Sequence, residues 1–122
     1  MLKKVLVIDD SAVIHQMYKM ALARYKCAIL SAQNGQAGLD ALANHPDIDL
    51  VLLDINMPVM GGLEFLKKVK EVGKYSHIPI VIQSTEGSEE DTKRGLDIGA
   101  RAYVTKPLKT AELHALIEKL GL

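Results

Sequence analysis

Asp54 ends an apolar run, Ile48 to Leu53, and is followed by Ile55-Asn56-Met57-Pro58. An acid delivered by a buried strand is placed for chemistry, where a solvated loop acid would need no such approach. Asp9-Asp10-Ser11 ends another run, Val5-Leu6-Val7-Ile8, and Gln83-Ser84-Thr85 ends a third, Ile78 to Ile82. Thr105-Lys106-Pro107 follows the shorter run Ala102-Tyr103-Val104. If these runs are parallel strands of one sheet, three carboxylates (Asp9, Asp10, Asp54), two hydroxyls (Ser84, Thr85) and one ammonium (Lys106) converge at one edge. In open α/β sheets that edge, beyond the strands' carboxyl ends, is where ligands bind.

Three carboxylates in one cleft repel one another unless they are protonated, solvated or paired with cations. Lys106 supplies one charge, and a divalent ion complements the rest. Hard oxygen donors without a neighbouring Cys or His favour Mg2+, or Mn2+, over zinc. Mg2+ is commonly shared between a couple of carboxylates and phosphate oxygens, so the cluster reads as a phosphoryl site. Each residue alone also has an ordinary role. Asp9 or Asp10 could cap a helix, Ser84 and Thr85 could bond local backbone, Lys106 could sit on the surface and Pro107 could stop a strand. Their coincidence at four strand ends favours the chemical reading.

The elements that would position these groups are legible. Five short apolar runs, the four above and Cys27-Ala28-Ile29-Leu30, alternate with amphipathic stretches. The runs are continuous, as strands buried on both faces should be. Val13, Met17, Met20 and Ala21 share one face of the first helical stretch, and Leu39 and Leu42 mark the second. Leu63, Leu66, Val69 and Val72 stripe the third, and Leu113, Leu116, Ile117 and Leu120 the last. Asn34-Gly35, Gly61-Gly62 and Gly73 punctuate turns. Ser88 before Glu89-Glu90-Asp91, and Thr110 before Ala111-Glu112, are expected helix starts. The pattern is (βα)5, an α/β fold with a doubly wound, mostly parallel sheet and helices on both faces.

Length and composition set the outer bounds. One domain is expected from 122 residues, of which 48% are hydrophobic and 25% charged. Fifteen Lys+Arg balance fifteen Asp+Glu, which removes the broad basic surface of a nucleic-acid binder. A lone cysteine, Cys27, forms no internal disulfide, fits a reducing compartment and reads as a small core residue. No apolar run approaches the ~20 residues of a membrane helix, so a soluble, cytoplasmic protein is expected. His15, His45, His77 and His114 are scattered, without metal-ligand spacing, and His15 is read as a surface residue.

Taken in order, these segments resemble the receiver domain of bacterial two-component response regulators, in its single-domain, chemotaxis-type form. The likeness spans Lys3 to Leu122 and rests on four segments. They are Val5 to Ser11, Leu52-Leu53-Asp54 through Gly61-Gly62, Ser84-Thr85, and Tyr103-Val104-Thr105-Lys106-Pro107. Ser84 lies 30 residues and Lys106 52 residues beyond Asp54, as in that family. The resemblance implies a flavodoxin-like strand order 2-1-3-4-5 and one receiver domain over residues 1–122 without an output domain. It implies that Asp54 accepts the phosphoryl group and that Asp9, Asp10, Asp54 and the Asn56 backbone carbonyl hold Mg2+. Lys106 would pair with phosphoryl oxygens, aimed by a cis peptide to Pro107. Ser84 would donate its hydroxyl to the phosphoryl group, and Tyr103 would swing from exposed to buried.

Thr85, where many members carry alanine, and Asn56 and Glu86 would modulate hydrolysis. The donor implied is a phosphohistidine on a sensor histidine kinase or a histidine phosphotransfer protein. Output would pass to a partner through the face made by Ser88–Ile98, the fifth strand and Thr110–Leu120. The state would be a monomer or a phosphorylation-linked dimer, with neither nucleic acid nor membrane as partner. No enzymatic activity is expected beyond the protein's own phosphorylation and dephosphorylation. Three other readings compete. A pseudo-receiver scaffold would lack phosphorylation, although the acid set is complete. A Mg2+-dependent aspartyl-phosphate phosphatase would want an Asp-x-Asp strand end and a cap. A flavin carrier would want a Ser/Thr/Gly-rich first loop, where Asp9-Asp10 would repel phosphate.

Overall fold

The structure, a computed structural model, describes residues 1–85, 87–106 and 109–122. Five strands alternate with five helices in chain order: β1 (Lys4–Ile8), α1 (Ala12–Ala21), β2 (Ala28–Ala32), α2 (Gly35–Asn44), β3 (Leu50–Asp54), α3 (Gly62–Val72), β4 (Ile80–Ser84), α4 (Glu89–Ile98), β5 (Ala102–Thr105) and α5 (Thr110–Lys119). All strand pairs are parallel, and the order across the sheet is β2-β1-β3-β4-β5. Both the (βα)5 pattern and the strand order are therefore as expected. The apolar runs β2 to β4 begin one or two residues later than their hydrophobic patterns suggest, so that Asp54 and Ser84 are the last residues of their strands.

Strand alternation divides the core in two. Leu6, Ile8, Val51, Leu53, Ile80 and Ile82 face α2, α3 and α4, packing on Leu42, Phe65, Leu66 and Val69. Val5, Val7, Leu50, Leu52, Val81 and Val104 face α1 and α5, packing on Tyr18, Leu22, Leu113 and Ile117. The central strands β3 and β4 are buried throughout. The edge strands are not: β2 and β5 each expose residues, because no neighbour covers their outer side.

Five local expectations are corrected. The core face of α1 is His15, Tyr18 and Ala21, not the Val13–Met17–Met20 stripe, and Val13 and Met20 are 67% and 80% exposed. Two helical faces had apolar spacing, and the placement of α1 against the sheet selects the one that carries His15, Tyr18 and Ala21. His15 is accordingly buried, not superficial: its Nε2 donates to the Asp9 carbonyl at 2.7 Å. Cys27 precedes β2 and is half-buried beside an edge strand. At α4, Ser88 occupies the cap position, but its hydroxyl turns back to Thr85, donating to the carbonyl at 2.6 Å and accepting from the N–H at 2.9 Å. The α5 cap is Lys109, one residue before Thr110. Among the described residues no helix is long and apolar enough to cross a membrane.

Candidate functional site

Register builds the site. Ile8 pairs with Leu53, and Asp54 pairs with Gln83, so the ends of β1, β3 and β4 lie side by side. The chain leaves β1 at Asp9, whose N–H still bonds to Ala32 of β2 at 3.0 Å. The next turn enters α1, and the Ser11 N–H donates to Asp9 Oδ1 at 2.8 Å. Asp9 is 1% exposed, Asp54 is 8% exposed and Asp10 lies on the surface. One carboxylate oxygen of each lies within 4.8 Å of the others, bringing together the three acids named from sequence.

Lys106, immediately after β5, crosses to these acids. Its Nζ is 2.9 Å from Asp9 Oδ2 and 3.5 Å from Asp54 Oδ1. Asp54 Oδ1 also accepts the Ile55 N–H at 2.9 Å. Burial pushes the Asp54 carboxyl above its ordinary range, with the Lys106 charge opposing and the Asp9 charge reinforcing that shift. Among the described residues one ammonium, paired with Asp9 and Asp54, faces a cluster of three carboxylates, leaving a surplus of negative charge. All donors are oxygen, and the acids share one small volume, so the set fits a hard divalent cation. Asn56, expected to lend its carbonyl, follows Asp54 by two residues and is exposed.

The loop from β3 to α3 lies close against this site. Gly62 approaches the Asp54 backbone so tightly that a Cβ there would overlap the Asp54 carbonyl oxygen and lie 2.8 Å from Ile55 Cα. Within the loop, Val59 adopts a left-handed conformation with φ of 68°, which is strained for a β-branched residue.

Ser84 does not stand alone. Its Oγ is 3.2 Å from Ser88 Oγ and accepts from Thr92 Oγ1 at 3.2 Å. The Ser88 hydrogen is taken by the Thr85 carbonyl, so the Ser84 hydroxyl donates toward Ser88. Ser84 is therefore tied to α4 through three buried hydroxyls (Ser84, Ser88, Thr92). Ser84 and Thr92 also line a cleft of about 200 Å³, together with Glu89, Lys93, Leu96 and Tyr103. Tyr103 is 52% exposed and Thr85 is exposed. The roles expected of Glu86 and of the Lys106–Pro107 peptide lie outside the described residues.

Sequence reasoning gave four residues no part in this site. Ser88 and Thr92 lie four apart on α4, a spacing that stacks them on one helix face. His15 and Tyr18 lie on the sheet-facing side of α1. Burial pushes the Tyr18 phenol upward, and the Asp9 and Asp54 charges add to the shift. The signal for these was weak, since helical spacing alone offered a more apolar face.

Residues 5–118 match the response regulator receiver domain family. A chemotaxis protein CheY homolog of Campylobacter jejuni is 34% identical over 116 residues, covering 94% of this chain and 89% of that protein. The two-component response regulator ORR12 of Oryza sativa is 33% identical over 113 residues, covering 93% of each. Among solved structures, the chemotaxis response regulator CheY4 of Vibrio cholerae superposes with a TM-score of 0.85 at 33% identity, covering 98% of this chain and 99% of that one. The acid cluster, the lysine that crosses to it, the strand order and these likenesses agree, and the chain belongs to the receiver-domain family of two-component response regulators.

Proposed function

We infer that the protein is a phosphorylation-controlled switch whose phosphoacceptor is Asp54. The carrying observation is the convergence of Asp9, Asp10 and Asp54 within 4.8 Å, with Lys106 spanning Asp9 and Asp54. Asp54 is the member of this set that lies at the centre of the sheet, flanked by β1 and β4. A carboxylate oxygen of Asp54 attacks the phosphorus of a phosphohistidine on a sensor histidine kinase or a histidine phosphotransfer protein. The P–N bond breaks, its electron pair stays on the imidazole, and an acyl phosphate forms.

Asp9, Asp10, Asp54 and the Asn56 carbonyl are the groups that would hold Mg2+. When bound, the dication neutralises carboxylate charge and screens the incoming phosphoryl oxygens. Lys106 already bridges toward Asp54 at 3.5 Å and needs little movement to meet a phosphoryl oxygen there. Burial of Asp9 keeps that ammonium oriented. Phosphorylation replaces the single Asp54 carboxylate charge with roughly two on the phosphoryl oxygens and brings new acceptors. The Ser84 hydroxyl, donating toward Ser88 over a long 3.2 Å, is readily recruited to them. Its withdrawal loosens the tie to α4, and the cleft beside Tyr103 receives the ring. The face of α4, β5 and α5 is then the output surface for a protein partner. Thr85 and Asn56, both exposed beside the site, and Glu86 would set the hydrolysis rate. The protein's catalysis is confined to its own modification and its reversal.

Mg2+ with acetyl phosphate, followed by intact-mass measurement, tests this reading. One phosphoryl adduct is expected in the wild type and none in Asp54→Asn. An undiminished adduct in that variant removes the assignment.

A further inference from the structure

Gln83 is 2% exposed, and among the described residues its carboxamide Nε2 has no hydrogen-bond partner. A buried donor left unpaired is costly, and native proteins tolerate few of them. Its place in the sheet is specific. Gln83 is the direct register partner of Asp54 on the adjacent parallel strand. Neighbouring strands lie only about 4.8 Å apart. Side chains of paired residues leave the same face, so Gln83 and Asp54 stand shoulder to shoulder on the face shared with Val81 and Leu52. The neighbouring positions of β4, Ile80 to Ile82, are apolar, so burial alone asks for an aliphatic residue here. Among the described residues the donors to Asp54 gather on Oδ1: the Ile55 N–H, with the Lys106 ammonium nearby.

We propose that Gln83 is a positioning residue for the acyl phosphate, its free carboxamide N–H donating to the Asp54 carboxyl oxygen that does not carry phosphorus. This rests on the assignment of Asp54 as phosphoacceptor. In hydrolysis, water attacks phosphorus and the P–O bond to Asp54 breaks. The electron pair returns to the Asp54 carboxylate, and water's oxygen leaves with phosphorus as dihydrogen phosphate. Negative charge therefore develops on the Asp54 carboxyl as the bond breaks. A donor held against its second oxygen stabilises that charge and hastens release. Gln83 thus acts as a built-in timer, shortening the life of the active state from beneath the site.

The test pairs a lifetime with a spectrum. Gln83→Met, similar in length and without the donor, is expected to lengthen the acyl-phosphate lifetime about tenfold, equivalent to about 1.4 kcal/mol. The melting temperature of its unmodified form should hold or rise, since an unpaired donor has been removed. In the wild type, Mg2+ with beryllofluoride should shift the side-chain amide resonances of Gln83, assigned through bonds. A lifetime unchanged or shortened in Gln83→Met, or Gln83 amide signals indifferent to beryllofluoride, overturns the proposal. The spectrum decides alone if the variant does not fold. Labelling that survives Asp54→Asn would sink the phosphoacceptor reading, whereas Asp54-dependent labelling with a lifetime indifferent to Gln83 sinks this proposal only.

Discussion

Lys106→Met removes the one ammonium bonded to Asp9 and close to Asp54 while keeping most of the aliphatic length. Asp9 is 1% exposed, and its Oδ2 loses a partner at 2.9 Å, leaving the Ser11 N–H on Oδ1 as its remaining named donor. Breaking a buried pair by deleting one partner costs about 3–5 kcal/mol. The Lys106 side chain keeps 19% exposure, so water recovers part of that, and about 3 kcal/mol is expected. At this chain length each kcal/mol moves the melting temperature by roughly 3–6 °C, giving a fall of about 9–18 °C. The assay is thermal or urea unfolding in chelator, then in millimolar Mg2+. Metal bound only by the folded state adds RT ln(1 + [Mg2+]/Kd), and the variant, with uncompensated acids, should gain more from it than the wild type. Asp9→Asn should erase much of the loss, because the orphaned charge is then absent. A Lys106→Met protein as stable as the wild type without metal would refute this. So would a loss strictly additive with Asp9→Asn, since the two groups would then not share a pair.

Asp54→Asn should be more stable than the wild type at pH 7 in chelator. Folding raises the Asp54 pKa above its ordinary 3.8, so the stability tied to its proton is present below that value and is lost as pH rises through the folded one. Asparagine escapes that loss, and the advantage should vanish near pH 3 in parallel unfolding curves. Gly62→Ala should destabilise by about 2 kcal/mol or more and slow labelling, because the added methyl collides with the Asp54 carbonyl; urea midpoints and adduct yields read both effects. Val59→Gly should stabilise by about 1 kcal/mol, relieving a left-handed φ of 68° at a position 84% exposed, and a lowered urea midpoint would contradict it.

Composition and pattern alone determined the alternation of strand and helix, and hence the parallel sheet and the ends at which Asp9, Asp54, Ser84 and Lys106 emerge. Crossover handedness and strand-end chemistry leave few alternatives once that alternation is read. The strand order came with the family likeness, because five apolar runs carry no pairing information. Only the tertiary structure chose between the two faces of α1, burying His15 and Tyr18 and exposing Val13 and Met20, since helical spacing suits either face. It alone joined Ser84 to Ser88 and Thr92, and set Gln83 beside Asp54. Those pairings depend on register and on which strands become neighbours. Such contacts span the sheet, and no local pattern encodes them.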